Sequence, residues 1–284
     1  MSLLKKMIFG NENRKLPTTR FKQFFFIIKE NFLLLFYCGI ISFAFLAPTL
    51  YIVMSSYSRY YQMITNSSSI DASKILELLI STGSILILTI TLIGIGYAGM
   101  YNIVIKLIFN EGATIKDYFL GIKKNIIKFI IIYFIEGLLI FFTILNYASY
   151  YYINEINKYI KLFALIISFI FLLIYMLIKP VLIVLLAIFK NKFSNVLKNS
   201  FILMISKLFT SIFLLILTNI LYFLLLIFIG TPLIIDMILI ILFQFAYSTL
   251  TNSLFVINTY ENLINKETYK SIYHKGLEDY IENE

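Results

Sequence analysis

The stretch from Ser81 to Ile105 reads STGSILILTITLIGIGYAGMYNIVI and contains no charged residue. At about 1.5 Å of rise per residue, a helix of this length makes a rod of roughly 37 Å, longer than the roughly 30 Å hydrocarbon core of a bilayer. A buried strand would have ended within about eight residues, and a soluble amphipathic helix would have placed charge on its outer face at every turn. The run therefore reads as a membrane-crossing helix. Working outward from it, apolar runs bounded by charge predict spans at 32–54, 81–105, 129–147, 162–182, 209–230 and 237–257.

The expected fold class is an all-α membrane protein, a six-transmembrane-helix bundle with short cytoplasmic interfacial helices. Residues 1–31 are expected as a basic, amphipathic N-terminal segment, 32–257 as the transmembrane domain and 258–284 as a C-terminal tail. Composition points the same way: 60% of the 284 residues are hydrophobic and only 14% are charged, against roughly 25% charged in a soluble domain. No A-x-A-like cleavage site follows the first long apolar run, so that run is expected as a retained anchor.

Six spans place both ends on one side, and the basic residues indicate which side. Lys5, Lys6, Arg14, Lys15, Arg20, Lys22 and Lys29 precede the first span. Lys106, Lys116, Lys123, Lys124 and Lys128 follow the second, Lys190, Lys192, Lys198 and Lys207 follow the fourth, and Lys266, Lys270 and Lys275 close the chain. That makes 19 against Arg59, Lys74, Lys158 and Lys161 on the other side, a bias that orients both termini to the cytoplasm of a cell membrane. The net charge of +9 is thus an orientation signal, and no basic stripe with interleaved aromatics points to nucleic acid. The opposite loops carry Tyr57, Tyr60, Tyr61, Tyr150, Tyr151 and Tyr152, whose amphipathic rings suit the headgroup level.

Two of the basic segments carry an apolar face. From Thr114, a plausible N-cap, Ile115, Phe119 and Ile122 fall on one helical face with lysines opposite, and Phe193, Val196, Leu197 and Phe201 repeat the arrangement. Both are expected as helices lying on the cytoplasmic surface, with Arg20 to Glu30 a third of the kind. They would either brace loops against anionic lipid or dock a partner.

The string Gly94-Ile95-Gly96-Tyr97-Ala98-Gly99 has the letters of a dinucleotide fingerprint, but a fingerprint needs a strand before it and a helix start after it. In the middle of an apolar run, Gly94 and Ala98 are instead candidates for close helix packing. Two charges fall inside spans, Glu136 and Lys179, the latter next to Pro180. Glu136 lies seven residues into its span, about 10 Å deep. Antiparallel neighbours could bring the two to one depth as a candidate intramembrane ion pair. The alternatives are a snorkelling Lys179 and a protonated or backbone-bonded Glu136.

Catalytic chemistry has little to stand on. The chain has one histidine, one cysteine and no tryptophan, and it shows no Gly-x-Ser-x-Gly elbow, no paired histidines and no acidic cluster for a metal. No catalytic, cofactor-binding or metal-binding residue is expected, and no cofactor. Cys38 reads as a packed residue, and His274, with no cysteine or carboxylate at ligand spacing, as a solvated one. The remaining polar groups, Asn219, Gln244 and Thr251, read as scattered.

The chain resembles the YesL family of bacterial membrane proteins of unassigned function. The likeness rests on Asn31-Phe32-Leu33-Leu34-Leu35, the stretch Gly94 to Gly99, Asn110-Glu111-Gly112, Phe119, Lys123-Lys124-Asn125, Pro180, Lys198-Asn199 and Asn252, over roughly residues 20 to 260. It departs at Lys179, where a neutral or aromatic residue is expected beside the proline. The resemblance implies a six-helix cytoplasmic-membrane protein linked to carbohydrate uptake. Two readings follow: a non-enzymatic accessory or scaffold to an ABC-type sugar permease, in contact with the lipid bilayer and transport proteins, or a small carrier for a solute or lipid that uses Glu136 and Lys179.

Overall fold

The regular elements among the described residues are all helical, the form that satisfies backbone N–H and C=O groups where water is absent. The computed structural model describes residues 15–66, 72–153, 157–189, 192–220, 243–262 and 270–279. The helices are α1 (Arg20–Asn66), α2 (Ala72–Ile108), α3 (Ile115–Tyr152), α4 (Lys158–Ile188), α5 (Phe193–Ser206), α6 (Leu208–Thr218) and α7 (Phe245–Tyr260), followed by a 3-10 turn at Lys270–Ile272. The first four are long and apolar enough to cross a membrane. A fifth candidate exists if α5 and α6, bent by 99° at Lys207, count as one broken span.

Of the expected spans, the first four lie within α1 to α4. The fifth begins in α6, and its residues 221–230 lie outside the described residues, as do residues 237–242 of the sixth. The helices also run past the expected edges. The 47 residues of α1 form two helical stretches that meet at a kink at Asn31, and the second, residues 32–66, continues past the expected span edge at 54.

The surplus length revises the expected surface helices. Residues 115–124 are not a separate helix: they form the first turns of α3, continuous with the span. No proline interrupts them, and Gly121 sits so close to α2 that a Cβ there would lie 3.0 Å from the Ala98 carbonyl oxygen. Residues 20–30 form a helical stretch set off from the first span by a kink at the non-helical Asn31 (φ −123°, ψ 23°). The segment from Phe193 is a helix of its own, α5. The tail is a 3-10 turn and irregular turns over its described residues 270–279.

Two compact units divide the chain, and α1 to α4 each contribute to both. One comprises Met1–Phe43, Tyr97–Ile126 and Leu177–Glu284, with Ile27, Cys38, Tyr101, Tyr118, Leu182 and Phe245 in its core. The other comprises Ala44–Gly96 and Ile127–Met176, with Ile75, Phe129, Ile132 and Ala148 buried. In this second unit α2 and α3 run antiparallel at glycine distance. A Cβ on Gly94 would lie 2.9 Å from the Phe129 carbonyl oxygen, and one on Gly137 would lie 2.9 Å from Ile87 Cα. Small residues permit such backbone contact where lipid supplies no hydrophobic drive.

The outside of α4 in the second unit is as apolar as a core. Tyr159, Phe163, Phe169 and Phe171 are between 60% and 81% exposed. A soluble surface would set polar groups there, whereas hydrocarbon accommodates these side chains without cost.

Candidate functional site

Three methylenes carry the Arg20 guanidinium from the first turn of α1 into a site where its side chain is 5% exposed, opposite Glu261 at 2%. Nε donates to Glu261 Oε2 at 3.1 Å, one terminal nitrogen bonds Glu261 Oε1, and the other donates to Gln23 Oε1 at 2.7 Å and to the Lys275 carbonyl at 3.0 Å. Glu261 Oε1 also accepts the His274 backbone N–H at 3.1 Å. Two charges withdrawn from water are tolerable only when bonds on this scale replace hydration.

Around that pair the polar atoms fasten backbone. Gln23 Nε2 donates to the carbonyls of Ile108 (2.7 Å) and Gly276 (3.1 Å), which ties α1 to the end of α2 and to the tail. Gly276 adopts φ +85°, and a Cβ there would fall 1.9 Å from the Ile108 carbonyl oxygen, so only glycine fits. The Pro17 carbonyl accepts the Glu278 N–H at 3.1 Å. Lys275 reaches Glu111 at 2.7 Å and lies over the Phe109 ring at 5.3 Å.

The loop between α2 and α3 is held from its other end. The Asp117 carboxylate accepts both the N–H and the hydroxyl of Thr114, the reach-back half of a capping box, and pairs with Lys106 at 2.6 Å. Asn102 donates to the Asp117 carbonyl at 2.7 Å, and the Tyr118 hydroxyl meets Ser42 at 2.8 Å. The expected N-cap Thr114 thus opens α3 with Asp117 as its partner.

His274 is part-exposed: its Nδ1 lies 2.6 Å from the exposed Asp279 Oδ2, and its ring stacks on Tyr273. The carboxylate five positions on is brought close by the turn at 273–276. Two of the three polar residues read as scattered make hydrogen bonds at the end of α6. Gln244 and Tyr247 donate to the carbonyls of Thr218 and Leu217 at 3.0 and 2.9 Å, closing the C-terminal end of α6, while Asn219 bonds back to Leu215. Cys38 is a buried free thiol.

Glu136 and Lys179 belong to different units. Glu136 is buried on α3 at 6% exposure. Its electrostatic neighbour there is Tyr175 of α4, whose hydroxyl donates at 2.5 Å to the Ile132 carbonyl, one turn before Glu136. Lys179 is half-buried on α4 beside Pro180. Gly94 and Ala98 lie in mid-helix in α2: Gly94 stands against Phe129 and Tyr133, and Ala98 is fully buried.

Sequence reading missed the Arg20, Gln23, Glu261 and Gly276 assembly. Arg20 and Glu261 are 241 positions apart, and no local pattern couples them. Gly276 alone carried a signal, as a glycine within a polar tail. Among the described residues no group of three or more His, Cys, Asp or Glu stands together. No family model, no curated protein and no solved structure matches this chain.

Proposed function

We propose that this chain is a non-enzymatic multi-pass protein of the cytoplasmic membrane, with six spans and both termini inside, serving as an accessory or scaffold to an ABC-type carbohydrate permease. One observation carries the reading: lysines and large apolar side chains are exposed together on helices anchored in the unit that the Arg20–Glu261 pair ties. Lys116, Lys123 and Lys124 stand beside exposed Ile115, Phe119 and Leu120, and Lys198 beside Leu197 and Phe201. A prepositioned surface of mixed charge and apolar area is what protein docking requires. The resemblance to the YesL family supplies the permease as partner. Affinity purification of the tagged chain from native membranes in mild detergent is expected to bring a permease in stoichiometric yield, lost when Phe119 and Phe201 are both replaced by Ser. Recovery of the chain alone overturns the scaffold role.

A second reading, a small carrier of a solute or lipid, draws support from Glu136 and Tyr175, an acid and a phenol brought together inside the apolar stretch of the second unit. Intramembrane ionisable groups commonly mark transport routes. On this reading Glu136→Gln abolishes uptake at an unchanged protein level in the membrane; undiminished uptake excludes it.

A further inference from the structure

The second unit contains a cleft of about 560 Å³ between α2, α3 and α4, a volume typical of ligand sites. Its wall is hydrocarbon except for the hydroxyls of Thr82, Thr143 and Tyr147. Two of these are already engaged: Thr143 donates to the Leu139 carbonyl at 2.8 Å, and Thr82 bonds Ser56 at 2.8 Å. The interior therefore offers a guest apolar contact and little else.

The upper edge is different. Tyr147 lines the cleft and packs on Tyr151 with ring centroids 4.8 Å apart; Tyr151 packs edge-on against Tyr150 at 5.0 Å, and the exposed Lys158 places its ammonium 6.0 Å from the Tyr150 ring. A cation thus stands one aromatic cluster away from a hydrocarbon slot. Lys161, by contrast, is committed, its ammonium bonded to the Tyr150 and Ile153 carbonyls at the end of α3.

Along α4, the lining residues Leu165 to Ile170 lie seven to twelve positions beyond Lys158, about 10 to 18 Å away. One leaflet of hydrocarbon is about 15 Å deep. The distances match a molecule with an anion at the level of Lys158 and an acyl chain below it.

We infer that this cleft is a binding site for one anionic phospholipid, its phosphate at Lys158 among the tyrosines and one acyl chain between α2, α3 and α4. The site requires the helices to lie in lipid and depends on neither functional reading. A single basic residue at a lipid surface favours anionic over zwitterionic headgroups by roughly five-fold.

The chain has no tryptophan, so one introduced tryptophan reports alone. The full chain carrying Tyr147→Trp is reconstituted with brominated-chain phosphatidylglycerol or phosphatidylcholine, and quenching gives the relative affinity of the two. The reference reporter is Phe171→Trp, on the exposed outside of α4. Phosphatidylglycerol is expected to win about five-fold at position 147 and about one-fold at 171, with Lys158→Gln removing the difference. Equal ratios at the two positions, or a ratio indifferent to Lys158→Gln, overturn the site. Native mass spectrometry of the unsubstituted chain is the second measurement. One retained phosphatidylglycerol, outcompeting phosphatidylcholine of the same chains, supports the site; equal retention of both, or of neither, overturns it.

Discussion

Replacing Glu261 by Gln tests whether the Arg20 cluster holds the first unit together. The substitution keeps the shape of the side chain and removes its charge, leaving a guanidinium at 5% exposure without its counter-ion. Breaking a buried pair by removing one partner typically costs about 3 to 5 kcal/mol, because the remaining charge keeps its desolvation penalty. For a chain of this size each kcal/mol moves the melting temperature by about 2 to 4 °C, so a fall of about 6 to 20 °C is expected. Cys38 supplies the assay: it is the sole cysteine and fully buried, so a maleimide dye in detergent fluoresces only as the unit opens. The double variant Arg20→Met, Glu261→Leu removes both charges and is expected to recover most of the loss, since apolar replacements of a buried pair are often neutral or better. A Glu261→Gln protein that melts within about 2 °C of the native chain would refute the reasoning, as would a double variant less stable than either single one.

Three further outcomes follow from the geometry. Gly276→Ala is expected to lose at least about 1 to 3 kcal/mol from its left-handed backbone alone, with the clash at the Ile108 carbonyl added, read in the same Cys38 melt. Gly137→Ala should lower the melting temperature more than Gly83→Ala: the first places a Cβ 2.9 Å from the Ile87 backbone, the second meets the edge of the Phe141 ring, which can swing aside. With an impermeant maleimide on intact cells, Lys158→Cys is expected to label while Lys116→Cys and Lys198→Cys do not; the reverse pattern would invert the proposed orientation.

The long spans were legible because period and charge are local properties: twenty uncharged residues must cross or be covered, whatever their neighbours do. Gly94 lies in mid-helix against the Phe129 backbone, with no strand ahead of it among the described residues. Helix ends were not legible. Residues 115–124 carry an amphipathic pattern that suits a surface helix and an extended span alike, whereas the close approach of Gly121 to Ala98 of α2 is a tertiary fact that the pattern does not contain. The Arg20 cluster was hidden for the same reason. Its bonds connect α1, the end of α2 and the tail, and several go to carbonyl oxygens, which every residue possesses and no sequence pattern distinguishes.

That division separates two roles for positive charge in a chain with few charges to distribute. Arg20, Lys106, Lys161 and Lys275 are bound within the molecule, to Glu261, Asp117, the α3 carbonyls and Glu111. Lys116, Lys123, Lys124 and Lys198 are exposed. Exposed charges contribute about 0 to 1 kcal/mol each to stability, so neutralising the second set should leave the Cys38 melt in place. Whatever those lysines do, they do toward lipid headgroups or a partner. If partner capture falls and insertion is normal, the docking face lies there; if insertion itself reverses, their work ends with orientation, and the scaffold would have to dock through its apolar surface alone.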